Sequence, residues 1–427
     1  MSLYDRLVQA YDKQLSHSGV DGVRVARRLS ELSKIGITDE NGVNRVGFSV
    51  EEQKAKSLVS RWMMEAGLHV TEDGAGNVFG KLVGDDERLA AVLSGSHVDS
   101  VPNGGHFDGP LGVISALEVV EAWKANGFQP KRSYEVVIFS DEEGARFNGG
   151  LTGSRAMMGE IDPEKQRLLK DKDGLSFNEV INKVGLKEED FFQAKRTIEE
   201  IHAFIEVHIE QGKTLEKMDQ SVGIVNGIAG PCWLEIIYKG VAGHAGNTPM
   251  NDRKDALVAA SEFIASVPHL TIVNETCVAT VGKIEVSPNG VNVIPGEVTL
   301  YVDIRDIYEE SRDHLVELVI DCARKIAIAH ELVVTIEEKL RIKPVPINTD
   351  IINKAGKSLA DLNLRPLQLP SGAGHDAMIV GKELPVGMLF VRSKDGISHN
   401  PKEWSNLNDC IEGIHALKGL IEQLVNE

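Results

Sequence analysis

An α/β fold is predicted, with a mixed, parallel-rich sheet and a second α+β segment inserted into it. Three observations predict it. Short apolar runs alternate with helical patterns through the first part of the chain, as at 89–96, 110–127 and 134–140, the pattern of strands joined by crossover helices. After Gly227-Ile-Ala-Gly230 the order becomes strand, helix, strand, strand, helix, strand, the split βαβ or ferredoxin-like unit. The length of 427 residues exceeds what one ordinary core holds, so two domains are expected. They are placed at 1–228 with 343–427, and at 229–342.

Each element has its own signal. Within 1–68, Val23, Val25, Leu29 and Leu32, and later Ala55, Leu58, Val59 and Trp62, recur at helical spacing. Residues 69–83 are punctuated by Asp73-Gly-Ala-Gly-Asn77, a hairpin turn between strands. The run at 89–96 is a buried strand that gives out at His97 and Asp99. Pro110 suits a first helical turn, and Leu111, Ile114, Leu117, Val120 and Trp123 carry that helix to Gly127. The strand at 134–140 runs straight into Asp141-Glu142-Glu143-Gly144. Residues 159–200 are charged and helical with little apolar patterning, so a surface excursion is expected. The strand 202–210 alternates, with Ile205, Val207 and Ile209 on one face and Glu206, His208 and Glu210 on the other. The inserted segment carries strands at 233–239, 276–286, 298–303 and 332–339, and helices at 252–267 and 311–330. A strand at 386–391 and a helix at 407–425 close the chain.

Composition narrows the class. An apolar fraction of 42% and a charged fraction of 26% are those of a globular protein. A net charge of −18 argues against nucleic acid or an anionic membrane as partner, although a local Arg or a metal can still admit an anionic small substrate. No basic, apolar-cored leader opens the sequence, and no uninterrupted apolar run approaches the roughly 20 residues that span a bilayer. The four cysteines are scattered, without a C-x-x-C pair, which speaks against a disulfide framework or a thiolate zinc site. A cytoplasmic location is expected.

Candidate metal ligands occur at separate places: His97, Asp108, the Glu142-Glu143 pair, His208, and His399 in Gly396-Ile-Ser-His-Asn-Pro401. Imidazole with carboxylate suits zinc, manganese, cobalt or nickel, and the lack of thiolates fits a catalytic site. A carboxylate can bridge two ions roughly 3.5 Å apart, as two-metal hydrolases require. Asp99 is spaced to steady the His97 imidazole, and of two adjacent acids one can bind metal while the other acts as general base. Plainer readings stand beside these. Asp108 could cap a helix, Glu142-Glu143 could be an acidic loop, His208 could face solvent, and His399 could be a turn residue. Gly372-Ala-Gly-His-Asp-Ala377 matches a dinucleotide fingerprint by letter only, with no convincing strand before it and no acidic partner after it.

Seven motifs in order give the chain a family likeness. They are Gly95-Ser-His-Val-Asp-Ser100, Gly104-Gly-His-Phe-Asp-Gly109, Asp141-Glu-Glu-Gly-Ala-Arg-Phe147, His208-Ile-Glu-Gln-Gly212, Gly243-His-Ala-Gly246, Ser371-Gly-Ala-Gly-His-Asp376 and Ser398-His-Asn-Pro401. Over nearly its whole length the chain resembles the M20 metallopeptidase superfamily, in its amidase, hydantoinase and carbamoylase branch. That branch includes N-carbamoyl-L-amino-acid hydrolases, β-ureidopropionases and allantoate amidohydrolases.

The resemblance implies a di-metal catalytic domain and an inserted lid and dimerisation domain. It implies two divalent ions per subunit, bridged by Asp108, with His97 and His208 at one and Glu143 and His399 at the other. Superfamily peptidases commonly carry a carboxylate where this chain has His208, so the imidazole argues against peptide substrates. Glu142 is implied to take a proton from the attacking water and pass it to the departing nitrogen. His244 is implied to reach the developing oxyanion from the partner subunit of a homodimer. Gln211, Asn292, Arg305 and His375 match substrate-contacting positions, with Arg305 the fork for a substrate carboxylate. For Arg305 a salt bridge to Asp303 or Asp306 is the plainer alternative, for His244 a simple loop or lid hinge, and for His375 support of His399. The implied reaction is hydrolysis of the ureido bond of N-carbamoyl-L-amino acids. Allantoate or 3-ureidopropionate hydrolysis is the alternative; a peptidase, an aminoacylase or a silent metal-binding protein ranks below it.

Overall fold

Local rules set the helix ends. Ser49 accepts from the Glu52 amide to start helix Val50–Ala66, and Gly67, at φ 97°, ends it. Helix Pro110–Asn126 begins on Gly109, at φ 79°, with no side-chain cap. Asp108 therefore does not cap this helix, and the plainer reading of that residue is corrected. Glycine is required at 109, because a Cβ there would lie 2.5 Å from the His97 ring.

The computed structural model describes residues 1–427. It divides into Met1–Asn226 with Ile347–Leu369 and His375–Glu427, and Gly227–Pro346 with Pro370–Gly374. In chain order the first unit contributes β1 (His69–Glu72), β2 (Val78–Leu82), β3 (Ala91–His97), β4 (Tyr134–Phe139), β5 (Ile201–Ile209) and β6 (Val222–Ile228). Next come β7 (Gly230–Lys239), β8 (Gly243–His244), β9 (Val278–Ser287), β10 (Val293–Ile294), β11 (Glu297–Asp306), β12 (Val333–Arg341) and β13 (Val345–Pro346). The chain ends with β14 (Gln368–Ser371) and β15 (Val386–Val391), followed by helix Leu407–Val425.

The larger sheet runs in the order β1-β2-β4-β3-β5-β15-β6. β3 lies parallel to β4 and β5, and β15 parallel to β5, while the flanking pairs are antiparallel. This is the mixed, parallel-rich sheet expected. Its central strands are buried throughout, as crossover helices on the faces demand. Helices Gly22–Ser33, Pro110–Asn126 and Leu407–Val425 supply that cover, with Trp123, Leu117, Ile414 and Leu417 in one continuous core.

Two expectations change on contact with the structure. The polar face of β5 does not meet water, since Glu206 and His208 are both buried. The stretch 159–200 is more than a surface excursion. Its short helices place Phe177, Val180, Ile181 and Phe191 with Phe48 and Phe147 in an apolar cluster of their own. Edge-on aromatic packing, such as Phe177 on Phe191 at 4.8 Å, holds that cluster together.

The second unit has the sheet order β12-β7-β11-β9, antiparallel throughout. Along β11 every second side chain is buried, and helices Ala256–Leu270 and Glu309–Ala329 complete its core. The segment Ala256–Val273 is apolar enough by length and composition to cross a membrane. Here it buries Ala256, Ala259, Ala260, Phe263 and Val267 in that core. A two-residue ribbon, β8 with β10, pairs His244 with Val293.

Candidate metal centre

The site is assembled at the carboxyl ends of the parallel strands, where an α/β sheet gathers its chemistry. β3 ends on His97, and the next turn carries Asp99. The Asp99 carboxylate accepts from the backbone N–H of Glu142 at 3.2 Å and of Glu143 at 3.1 Å, so it ties the loop after β3 to the loop after β4. The same carboxylate is 3.4 Å from His97 Nδ1, although the nearer partner of that nitrogen is the Asp99 carbonyl at 3.2 Å. Below the second loop, buried Lys56 bridges Glu52 and the Ser140 hydroxyl at 2.8 and 2.7 Å.

Asp108 is the hub. Its Oδ1 lies 3.1 Å from His208 Nε2 and 3.5 Å from His97 Nε2, and its Oδ2 lies 3.6 Å from His399 Nε2. Glu143 Oε2 is 3.2 Å from the same His399 nitrogen. Two groups of donor atoms result, His97–Asp108–His208 and Asp108–Glu143–His399, each lying within 4.8 Å of one another, with Asp108 in both. Glu142 belongs to neither and reaches to 3.6 Å from His97 Nε2.

The donor set fits a divalent cation. His208 Nδ1 lies 2.9 Å from the Ile209 carbonyl, which can only accept, so that nitrogen carries the proton. Its Nε2 lone pair then faces a carboxylate oxygen, an arrangement that calls for a cation. His97 repeats the pattern: Nδ1 faces a carbonyl, and Nε2 is buried without a hydrogen-bond partner. The charges agree. Burial opposes a proton on His97, yet Glu142, Asp108 and Asp99 hold its titration well above the usual range. Burial likewise opposes ionisation of Asp108, but His208 and His97 overcome it and keep that carboxyl well below its usual range. The position draws positive charge, and nitrogen with oxygen ligands suits zinc, manganese, cobalt or nickel.

Of the other expected residues, Gln211 donates from Nε2 to Asp108 Oδ2 at 2.8 Å. His375 is buried and packs its ring 4.5 Å from that of His208. His244, Asn292 and Arg305 all belong to the second unit. His244 is exposed, and its Nδ1 accepts from the amides of Gly246 and Asn247 at 3.0 and 3.2 Å. That leaves Nε2 as the protonated, donating nitrogen. The Asn292 carbonyl accepts from Ala245 at 3.0 Å, placing Asn292 beside His244. Arg305 pairs through Nε and Nη2 with Asp303, at 3.0 and 2.7 Å, and donates to the Gly372 carbonyl at 2.8 Å. The salt-bridge alternative is thus the geometry seen, and Arg305 presents no free fork.

Two carboxylates escaped the sequence reading. Glu403, buried, accepts from the Phe107 and Asp108 amides at 2.8 and 3.1 Å and from the Ser398 hydroxyl at 3.0 Å. It joins the loop of Asp108 to the loop of His399, and burial with nearby Asp108 pushes its carboxyl up to about 7. The only sequence signal was an acid four residues after His399. Glu206, two residues before His208 on β5, accepts from Ser96 at 2.8 Å and from the Ala377 amide at 3.0 Å. Glu403→Gln turns an N–H group toward donors that need an acceptor. Metal affinity should fall about 10- to 100-fold, measured by competition with a chromophoric chelator. An unchanged affinity would leave Glu403 with a purely structural role.

Comparison with known proteins bears on this geometry. A family model described as peptidase family M20/M25/M40 matches residues 93–423. The chain is 42% identical over 405 residues to an N-carbamoyl-L-amino acid amidohydrolase of Geobacillus stearothermophilus, covering 95% of this chain and 99% of that one. It is 34% identical over 394 residues to an allantoate amidohydrolase of Bacillus subtilis, covering 92% and 95%. Among solved structures, an amidase of the hydantoinase/carbamoylase family from Burkholderia multivorans superposes with a TM-score of 0.90 at 34% identity, covering 96% and 99%.

Proposed function

The chain belongs to peptidase family M20/M25/M40, and from that premise we propose that it hydrolyses the ureido C–N bond of N-carbamoyl-L-amino acids, yielding the L-amino acid, carbon dioxide and ammonia. One observation carries the reading: Asp108 is shared by two donor groups while Glu142, alongside, is left free to move a proton. The similarity to an N-carbamoyl-L-amino acid amidohydrolase supports the substrate class. The imidazole of His208, where peptidases of the superfamily commonly have a carboxylate, supports it further.

Held by His97, Asp108 and His208 and by Asp108, Glu143 and His399, divalent cations would supply Lewis-acid chemistry to the carbonyl and the attacking water. The protein's own groups do the rest. Glu142 takes the water's proton and hands it to the departing nitrogen. Burial pushes its carboxyl well above the usual range against the pull of His97, and neighbouring Glu143, Asp376 and Asp99 push it further, so it is a stronger base than an exposed glutamate. Asp99 holds Glu142 and Glu143 in place through their amides. Gln211 and His375, beside Asp108 and His208, contact the substrate. In a homodimer formed through the second unit, taken as an inserted lid and dimerisation domain, His244 Nε2–H reaches the oxyanion from the other subunit and Asn292 adds a contact. Arg305 exchanges Asp303 for the substrate carboxylate. The four free cysteines fit a reducing, cytoplasmic setting.

The deciding experiment is ammonia release from the enzyme loaded with manganese, cobalt, nickel or zinc. The substrates are N-carbamoyl-L-amino acids, their D-isomers, 3-ureidopropionate, allantoate and dipeptides. Turnover of the L-carbamoyl compounds, abolished by chelation and restored by metal, is expected. Ammonia from allantoate alone would instead favour the allantoate reading, which the Bacillus subtilis relative supports. Arg305→Ala should raise KM about 10- to 100-fold with both metals retained; unchanged kinetics would leave Arg305 paired with Asp303 and nothing more. Mixing His244→Ala with Glu142→Gln subunits should restore part of the activity lost in each. Silent, verified heterodimers would rule out a shared site.

A further inference from the structure

The buried ion pair beneath the loop of Glu142 reaches further than packing needs. Glu52 and Lys56 stand one turn apart on helix Val50–Ala66, 2.8 Å from each other, with both side chains buried. Burying two opposite charges is an inefficient way to stabilise a fold, since apolar groups of similar volume often do as well or better. Helix capping explains one part of the arrangement. Glu52 Oε2 reaches back to accept from the Phe48 amide at the start of its own helix. Its other oxygen, Oε1, leaves the helix and accepts from the amide of Asp141 at 3.3 Å.

Asp141 is a residue that needs holding. It stands between the end of β4 and Glu142, is buried, and has φ 50°, a left-handed conformation that residues other than glycine seldom adopt. Phe48, the second amide on Glu52, is left-handed as well, at φ 54°. One carboxylate thus ties together two strained turns from distant parts of the chain. Lys56 takes the residue beside Asp141, donating to the Ser140 hydroxyl at 2.7 Å. Thr152 holds Asp141 too, its hydroxyl donating to Oδ2 at 2.7 Å and its amide to the Asp141 carbonyl at 3.2 Å.

We infer that Glu52 and Lys56 are positioning residues for the hydrolysis: they hold Ser140 and Asp141 so that the left-handed turn carries the Glu142 carboxylate to the side of His97. The inference rests on the role proposed above for Glu142. Neither residue belongs to a donor group, so both act through the loop. Asp99 fixes the amides of Glu142 and Glu143, and the helix pair fixes the two residues before them.

Glu52→Gln/Lys56→Met, studied in the metal-loaded enzyme, tests this. It removes both charges and the hold on Ser140, and leaves one acceptor where two amides each need one. A crystal structure of the variant should show Asp141 out of the left-handed region and the Glu142 carboxylate displaced from His97. On the best of the substrates above, kcat should fall about 10- to 100-fold, with metal content at the wild-type level. KM should stay within about twofold of the wild type. Placed in Glu142→Gln, the same substitutions should lower kcat by less than about twofold more, because the group they position is already gone. Ser140→Ala, which removes only the hydroxyl held by Lys56, should give the same pattern with a smaller loss, and it decides the matter if the double variant does not fold. Asp141 and Glu142 unmoved, an unchanged kcat, a parallel loss of metal, or an equal loss in both backgrounds would overturn the inference. Normal turnover by Glu142→Gln would instead remove the reading of Glu142 and this inference with it. The positions of Asp141 and Glu142 are read from the crystal whether or not any ureide is turned over.

Discussion

Glu142→Gln should lower kcat by about 10²- to 10⁴-fold while metal content stays at the wild-type level. The substitution preserves size and removes only the capacity to accept and return a proton. Glu142 lies outside both donor groups, so no ligand is lost with it. Its backbone N–H remains bonded to Asp99, so the loop keeps its position and Glu143 keeps its place beside His399. Measuring kcat together with metal content by elemental analysis separates a lost base from a lost site. Near-normal turnover would place the base elsewhere, and a parallel loss of metal would make Glu142 a ligand.

Asp108→Ala should go further and empty both halves of the centre. Each donor group contains Asp108, so one substitution removes a shared oxygen ligand from both. Three imidazoles, of His97, His208 and His399, lose the anion they surround. Loss of metal-assisted charge stabilisation worth several kcal/mol corresponds to a fall in kcat/KM of about 10³-fold or more. Helix Pro110–Asn126 should remain, because its cap is Gly109 and not Asp108, and far-ultraviolet circular dichroism should be unchanged. Retention of a full metal complement would show that the two groups do not depend on a common bridge.

What the sequence revealed follows from the range of the forces involved. Period-2 and period-3.6 patterns are local, so β5 and helix Leu407–Val425 could be placed from spacing alone, as could the succession of strands and helices in the second unit. His97 and the Glu142-Glu143 pair stand at strand ends and Asp108 just before a helix start, which made them visible as candidates. Glu403 was not visible, because its meaning comes from amides 296 and 295 residues away in the chain. The Phe177–Phe191 cluster was hidden for the same reason: its partners, Phe48 and Phe147, come from other parts of the chain. Arg305 illustrates the converse. Its neighbour Asp303 was near in sequence, and the plainer pairing is the one the side chain adopts.

The setting of β5 has a consequence for timing. It is flanked by β3 on one side and β15 on the other, so neither edge is open. Amides around His208 should therefore exchange with deuterium more slowly than those of exposed loops, which hydrogen-exchange measurement checks. His399 lies on a loop at φ 53°, and its side chain is 49% exposed. Protection there is set by local opening, which is far more frequent. The two faces of Asp108 therefore differ in setting: His208 stands inside the sheet, and His399 on an exposed loop.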